Sequence, residues 1–291
     1  MRVLLIFPGA LGDLLLLVPA AAALAARGCR VELSAQRALG PLVSPVFAIG
    51  PPVDGAAMST LFTTALDPTL AAWLRGADRV HAWLGHRGAA GLDRHAGALG
   101  IRAVRCHVVE RDDGPVHASL AYGAMLEVGD RLGMPVLRVP SGASADPWHA
   151  PPATRLLVHP GAGSTAKRWT PSGFRRVADC WRSDGGEVVL LLGPAEEGMV
   201  DFWRAAGHRV ATGLDLVDAA RVIAGAPAYL GNDSGISHLA GALDRSGAVL
   251  FGPTRPERWR PLGGTLTPVR FSSVSEAALA DSLVRCLGRV A

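Results

Sequence analysis

Short apolar strands alternate with helical stretches along almost the whole chain, and this alternation is the strongest constraint on its fold. In the first half the strands read RVLLIF, RVELSA, RVHAWLG and AVRCHVV, with helical segments PTLAAWLRG and ASLAYGAMLEVGDRLG. In the second half they read TRLLVHP, EVVLLLG, HRVATG, APAYLGN and GAVLFGP, and the last helix is SEAALADSLVRCLGRV. Apolar strands separated by helices imply an α/β protein with parallel sheets covered on both faces. The 291 residues exceed one average domain, and 49% hydrophobic content against 19% charge allows two buried sheets. Residues 139–154, VPSGASADPWHAPPAT, are dense in Pro, Ser, Gly and Ala and read as a linker. The domains are therefore expected at 1–146 and 147–291, with the final helix free to pack back on the first of them.

The two halves open alike. Residues 2–13, RVLLIFPGALGD, and residues 154–165, TRLLVHPGAGST, share an Arg near their start, an apolar strand and then Pro-Gly-Ala. Two similar Rossmann-like domains, with strand C-termini facing a shared cleft, account for the match, and ligands would bind in that cleft.

The opening MRVLLIFPGALGDLLLLVPAAAALAARG also permits a secretory-signal reading. Against it, Pro8, Gly9, Gly12 and Asp13 interrupt the apolar run, and an acidic residue inside such a run is costly. The same residues make a strand, a PGALG turn and a helix with Asp13 near its N-terminus and Gly28 just past its end, at the expense of Pro19 inside it. The expected location is cytoplasmic. Cys29, Cys106, Cys180 and Cys286 have no paired spacing and demand neither disulfides nor a metal. No other segment approaches the ~20 apolar residues of a membrane span. A net charge of +4 from scattered basic residues, with few Phe and Tyr, argues against a nucleic-acid partner.

Residues with chemistry cluster at predicted strand ends. HPGAGSTAKRW, residues 159–169, places Gly161, Ser164 and Thr165 after a strand, followed by Lys167 and Arg168. Close backbone approach, hydroxyl donors and a cation suit a phosphate-rich ligand, although the spacing is not that of a Walker loop. Lys167 is the single lysine in a chain of 29 basic residues. The second cluster, YLGNDSGISHLAGALDRSGAVLFGPTRPERWRP, spans residues 229–261. Asp233 and Ser234 are ready helix caps, and the helix start at Gly235, with Ser237 and His238 in its first turn, would suit a diphosphate. A serine-hydrolase reading of Ser234 and His238 lacks the G-x-S-x-G elbow.

Taken in order, LIFPGALGDLLLLVPA, LLVHPGAGSTAKRWTPSGFRRVA, LLLGPAEE, YLGNDSGISHLAGAL and FGPTRPERWRP resemble the ADP-heptose:lipopolysaccharide heptosyltransferases, glycosyltransferase family 9. The resemblance implies the GT-B fold, with two Rossmann-like domains whose parallel sheets face a central cleft, a donor site in the C-terminal domain and an acceptor site in the N-terminal one. It makes Asp13 the catalytic base, Lys167 the diphosphate partner, and Asp233, Ser234, Gly235 and His238 part of the donor site, with Thr254 nearby. Gly12 and Asp13 fall on the acceptor side, where His81, Arg87, His86, Arg94 and His95 are further candidates. The implied activity is inverting transfer of a sugar, such as the heptose of ADP-heptose, to a glycan or glycolipid such as lipopolysaccharide core, with peripheral contact at the inner membrane. No Asp-x-Asp pair sits at a predicted strand end, so a metal-independent enzyme with no cofactor beyond its nucleotide-sugar donor is expected. Residues 38–74 contain no Lys or Arg, which departs from what an acidic inner-core acceptor requires. A sugar-nucleotide epimerase on the same fold and a secreted two-domain sugar-binding protein are the alternatives.

Overall fold

A computed structural model describes residues 1–108, 114–139, 154–272 and 275–288. Glu110, which together with His81, His86 and His95 would be the next candidate for the base should Asp13 serve only as a cap, lies outside them, as do all but the ends of the Pro-rich 139–154 stretch. The chain divides into two compact units, Met1–Asp112 with Ala118–Leu137, and Asp113–His117 with Arg138–Ala291.

In the first unit β1 (Arg2–Ile6), β2 (Arg30–Ser34), β3 (Ala48–Ile49), β4 (Arg79–Ala82) and β5 (Val104–Cys106) form a parallel sheet in the order β3-β2-β1-β4-β5. Its helices are α1 (Leu11–Ala26), α2 (Gly40–Val43), α3 (Ala56–Ser59), α4 (Pro68–Leu74), α5 (Gly85–Leu99) and α6 (Ala118–Met125). Val3 to Ile6 are wholly buried because β1 is the central strand and is covered on both faces. Helix α1 runs unbroken through the buried Pro19. Its N-cap is Ala10, which makes no side-chain capping bond, so Asp13 is not the capping residue but lies in the first turn, at the positive end of the helix dipole. The expected helix over 118–133 stops at Met125. Glu127 adopts a left-handed conformation, and the Val128 amide closes back on the Gly123 carbonyl at 2.9 Å. Arg27 donates to the Glu127 and Val128 carbonyls beyond this end.

The second unit contains β6 (Arg155–His159), β7 (Glu187–Leu191), β8 (Arg209–Ala211), β9 (Ala228–Asn232), β10 (Ser246–Phe251) and β11 (Thr265–Arg270). They form a parallel sheet in the order β11-β10-β9-β6-β7-β8. The helices are α7 (Pro171–Ser183), α8 (Val200–Ala205), α9 (Leu216–Ala224), α10 (Gly235–Ala242), α11 (Pro256–Trp259) and α12 (Glu276–Leu287). Pro268 is tolerated in β11 because that strand is the sheet edge. The final helix, α12, buries Leu279, Leu283 and Leu287 in one core with Phe174 and Val177 of α7, inside the second unit.

Counted from the first strand of each unit, the orders are 3-2-1-4-5 and 3-2-1-4-5-6, the doubly wound Rossmann arrangement in both. The strand order reverses between β1 and β4 and between β6 and β9. Ligands of such sheets bind outside the strand C-termini at these switch points.

Candidate functional site

At the second switch point three loops converge on one carboxylate. Lys167 Nζ, from the 3-10 turn Thr165–Lys167 after β6, donates to Asp233 Oδ2 at 2.8 Å. Thr254 Oγ1, from the loop after β10, donates to the same oxygen at 2.7 Å. The Asp233 side chain is buried and Lys167 is partly exposed, so the cation can still face solvent while its position is held from below. Asn232, at the end of β9, ties the loops together. Its Nδ2 donates to the Pro160 carbonyl at 2.8 Å and its Oδ1 accepts from the Trp169 amide at 3.0 Å, clamping both ends of HPGAGSTAKRW. Gly161 is needed for this fold of the loop, since a Cβ there would lie 2.7 Å from the buried Glu196 carboxylate. Arg168 ion-pairs with Glu196 at 3.3 Å and donates to the Ala162 carbonyl. Ser164 and Thr165 are exposed beside Lys167.

Ser234 is the N-cap of α10, its Oγ accepting from the Ser237 amide at 3.3 Å. The first turn of such a helix presents amides without intrahelical partners and the positive end of the dipole, next to the Lys167 ammonium. His238, one turn in, is buried, and burial lowers its pKa to about 4 despite the opposing pull of Asp233. It is a neutral imidazole at neutral pH. Sequence reasoning missed His117, which also influences His238 electrostatically. His117 Nε2 bonds to the Arg260 carbonyl at 3.0 Å, and Arg258 donates to the Val116 carbonyl at 2.8 Å. These pairs are separated by 143 and 142 residues, so no local pattern announces them.

The His238 environment makes a stability prediction. The unfolded chain, whose histidine titrates near 6.5, binds more protons than the folded one between that value and about 4, so stability falls as pH drops through this window. The slope from this residue approaches ~1.4 kcal/mol per pH unit. Urea unfolding at pH 7, 6 and 5 should show the decline, and His238→Gln should make it shallower, the other buried histidines such as His81 keeping the rest. An unchanged slope in the variant would place the acid sensitivity elsewhere.

At the first switch point an open pocket of about 310 Å³ is lined by residues that include Phe7, Trp83, Tyr122, His107, Val108 and Asp13. Phe7, Trp83 and His107 are each the first residue after β1, β4 and β5, and their amides extend the sheet ladder. The rings of Phe7, Trp83 and Tyr122 meet edge to face with centroids 5.3 to 6.0 Å apart. Gly9 lets Phe7 and Asp13 come together, because a Cβ there would lie 2.4 Å from the Phe7 ring and 3.2 Å from the Asp13 Cβ. Of the acceptor-side candidates, Asp13 lines the pocket and Gly12 is its neighbour on α1. His81 does not line it. It is buried on β4 with Nδ1 2.8 Å from His107 Nε2, and burial together with His107 pushes its pKa down to about 3. Arg87 and His86 are exposed on α5, outside the pocket lining, and Arg94 and His95 bond to the Thr63 carbonyl. Among the described residues no group of three or more His, Cys, Asp or Glu could hold a metal ion, and no helix is long and apolar enough to cross a membrane.

Two α/β units of Rossmann order, each with its strand-end loops at the switch point of its sheet, define a two-domain α/β protein of the GT-B fold. A model of glycosyltransferase family 9 (heptosyltransferase) matches residues 137–280, just under half of the chain. Lipopolysaccharide heptosyltransferase 1 of Pseudomonas aeruginosa is 33% identical over 159 residues, which are 52% of this chain and 41% of that protein. The chain thus aligns with less than half the length of this curated relative. Over nearly its full length it has the fold of Escherichia coli ADP-heptose lps heptosyltransferase II, with a TM-score of 0.77, 21% identity and 99% of each chain covered. The iron-containing dodecameric glycosyltransferase TibC of enterotoxigenic E. coli H10407 shares the fold at a TM-score of 0.59 and 17% identity, over 97% of this chain and 67% of that one.

Proposed function

We propose that the chain is an inverting glycosyltransferase that moves a heptose from ADP-heptose to a sugar hydroxyl of a cell-surface glycan such as lipopolysaccharide core. The observation that carries this reading is the meeting of Lys167, Asp233 and Thr254 from three strand-end loops at the second switch point. The relatives are heptosyltransferases, and the matched segment contains all the donor-side residues: Gly161, Ser164, Thr165, Lys167, Asp233, Ser234, Gly235, His238 and Thr254.

In the proposed reaction the Asp13 carboxylate takes the proton of the acceptor hydroxyl as that oxygen bonds to the anomeric carbon. The anomeric C–O bond breaks, and its electron pair leaves with the diphosphate of ADP. Lys167 and the start of α10 stabilise the growing charge. Asp233 is a carboxylate and would repel a diphosphate, so its role is to orient Lys167 with the help of Thr254. With a fixed cation and a helix N-terminus supplied by the chain, the reaction needs no metal. The domain division of this reading is an acceptor half over 1–146 and a donor half over 147–291. A glycolipid acceptor would bring the protein to the cytoplasmic face of the inner membrane.

The test is thermal stabilisation by nucleotides. ADP should raise the melting temperature well above the effect of AMP, because the second phosphate is what Lys167 meets, and the free energy of binding adds to stability by mass action. The shift should survive a chelator. Equal shifts from AMP and ADP would overturn the diphosphate assignment, and loss of the ADP shift in chelator would overturn metal independence.

A further inference from the structure

We propose that Tyr229, buried on β9, is a positioning residue of the donor site: its hydroxyl occupies Ser237 Oγ and so leaves the Ser234 hydroxyl proton for an oxygen of the donor diphosphate; this rests on the glycosyltransferase reading above. Tyr229 is wholly buried on a strand flanked by β10 and β6, yet its hydroxyl reaches past the strand to the first turn of α10. Gly231 makes the room, since a Cβ there would lie 2.3 Å from that hydroxyl and 3.0 Å from Ser237 Oγ.

Counting protons fixes the direction of each bond. A serine hydroxyl has one proton to give and two lone pairs that accept. Ser237 Oγ lies 2.5 Å from the Asn232 carbonyl oxygen, which can only accept, so the Ser237 proton is spent there. Tyr229, 2.8 Å from Ser237 Oγ, is therefore the donor of that pair, and burial pushes its pKa up, which keeps the proton on it. Ser234 Oγ accepts from the Ser237 amide as the helix cap. The inward partner for the Ser234 proton is Ser237 Oγ at 3.4 Å, the outer limit of a hydrogen bond, on an oxygen that Tyr229 already holds. Ser234 is partly exposed and follows Asp233, the carboxylate that orients Lys167. A phosphate oxygen offers its O–H a shorter, charge-assisted bond. Without the Tyr229 hydroxyl, Ser237 Oγ loses its donor, and the Ser234 proton turns inward to replace it.

The experiment is calorimetric titration of ADP into the parent, Tyr229→Phe, Ser234→Ala and the double variant. Tyr229→Phe should weaken ADP binding about fivefold to tenfold, as should Ser234→Ala, and the double variant should bind no more weakly than either. Ser234→Ala also removes a helix cap, an effect common to both backgrounds that cancels in the cycle. Unchanged ADP affinity in Tyr229→Phe, or losses that add in the double variant, would overturn the inference. Proton NMR of the parent gives a reading that needs no variant. The Ser237 hydroxyl proton should exchange slowly in the free protein, and that of Ser234 should become protected only when ADP binds. A Ser234 hydroxyl proton already protected in the free protein would overturn the inference and leave the donor reading standing. Failure of ADP to bind the parent would instead remove the donor reading and the inference with it.

Discussion

Replacing Asp13 by Asn is expected to lower the rate of sugar transfer by ~10² to 10⁴-fold, the contribution of a positioned general base. The expectation follows from where the side chain sits. Asp13 lies in the first turn of α1 and lines the pocket after β1, and Gly9 removes the bulk that would keep it from Phe7. Asn keeps the size and can still accept a hydrogen bond, but it cannot take up a proton. The folded state should survive the change, with the charge lost at the helix N-terminus costing about 0.3–1 kcal/mol. ADP binding should be unchanged, since the donor contacts are assigned to the second unit. Transfer at near the parental rate by Asp13→Asn would show that the carboxylate serves the helix alone.

Lys167→Ala should weaken ADP binding by ~1–3 kcal/mol, roughly 5- to 150-fold, while AMP binding changes little. Loss of the lysine also takes the counter-charge from the buried Asp233 carboxylate, which keeps its hydrogen bond from Thr254, so part of the cost will appear as stability. Asp233→Asn separates the two effects. It removes the anion that Lys167 pairs with while keeping the side-chain volume, and a double-mutant cycle then isolates the lysine's own contribution to ADP affinity. Calorimetric titration of ADP and AMP into the four proteins measures it. Equal ADP and AMP losses in Lys167→Ala would assign the lysine to the fold and not to the diphosphate.

Strands β1, β6, β7, β9 and β10 are legible in the sequence as short apolar runs because they are buried on both faces of a parallel sheet. The two-residue β3 and the largely exposed β11 with its Pro268 give no such signal, and the sequence reading lacks both. Lys167, Asp233 and Thr254 stand out because each lies in a loop just beyond a strand end. Their convergence is invisible locally, with partners 66 and 21 residues apart. Phe7, Trp83 and His107 obey the same strand-end rule, yet the expected strands RVLLIF, RVHAWLG and AVRCHVV take them in. His81, a histidine expected on the acceptor side, is buried on β4, where it bonds to His107 and lies outside the pocket lining. The shortened α6 depends on a left-handed turn at Glu127, a residue type with no preference for that conformation.

The central claim is acceptor-dependent transfer from ADP-heptose. Its most direct test is to follow ADP release by the purified chain with ADP-heptose alone and with heptose-deficient lipopolysaccharide core oligosaccharides as acceptors, resolving the anomeric configuration of the product by NMR. ADP should appear only when an acceptor is present, in step with a glycoside of inverted configuration. Conversion of ADP-heptose to another ADP-sugar without any acceptor, or a product of retained configuration, would contradict it.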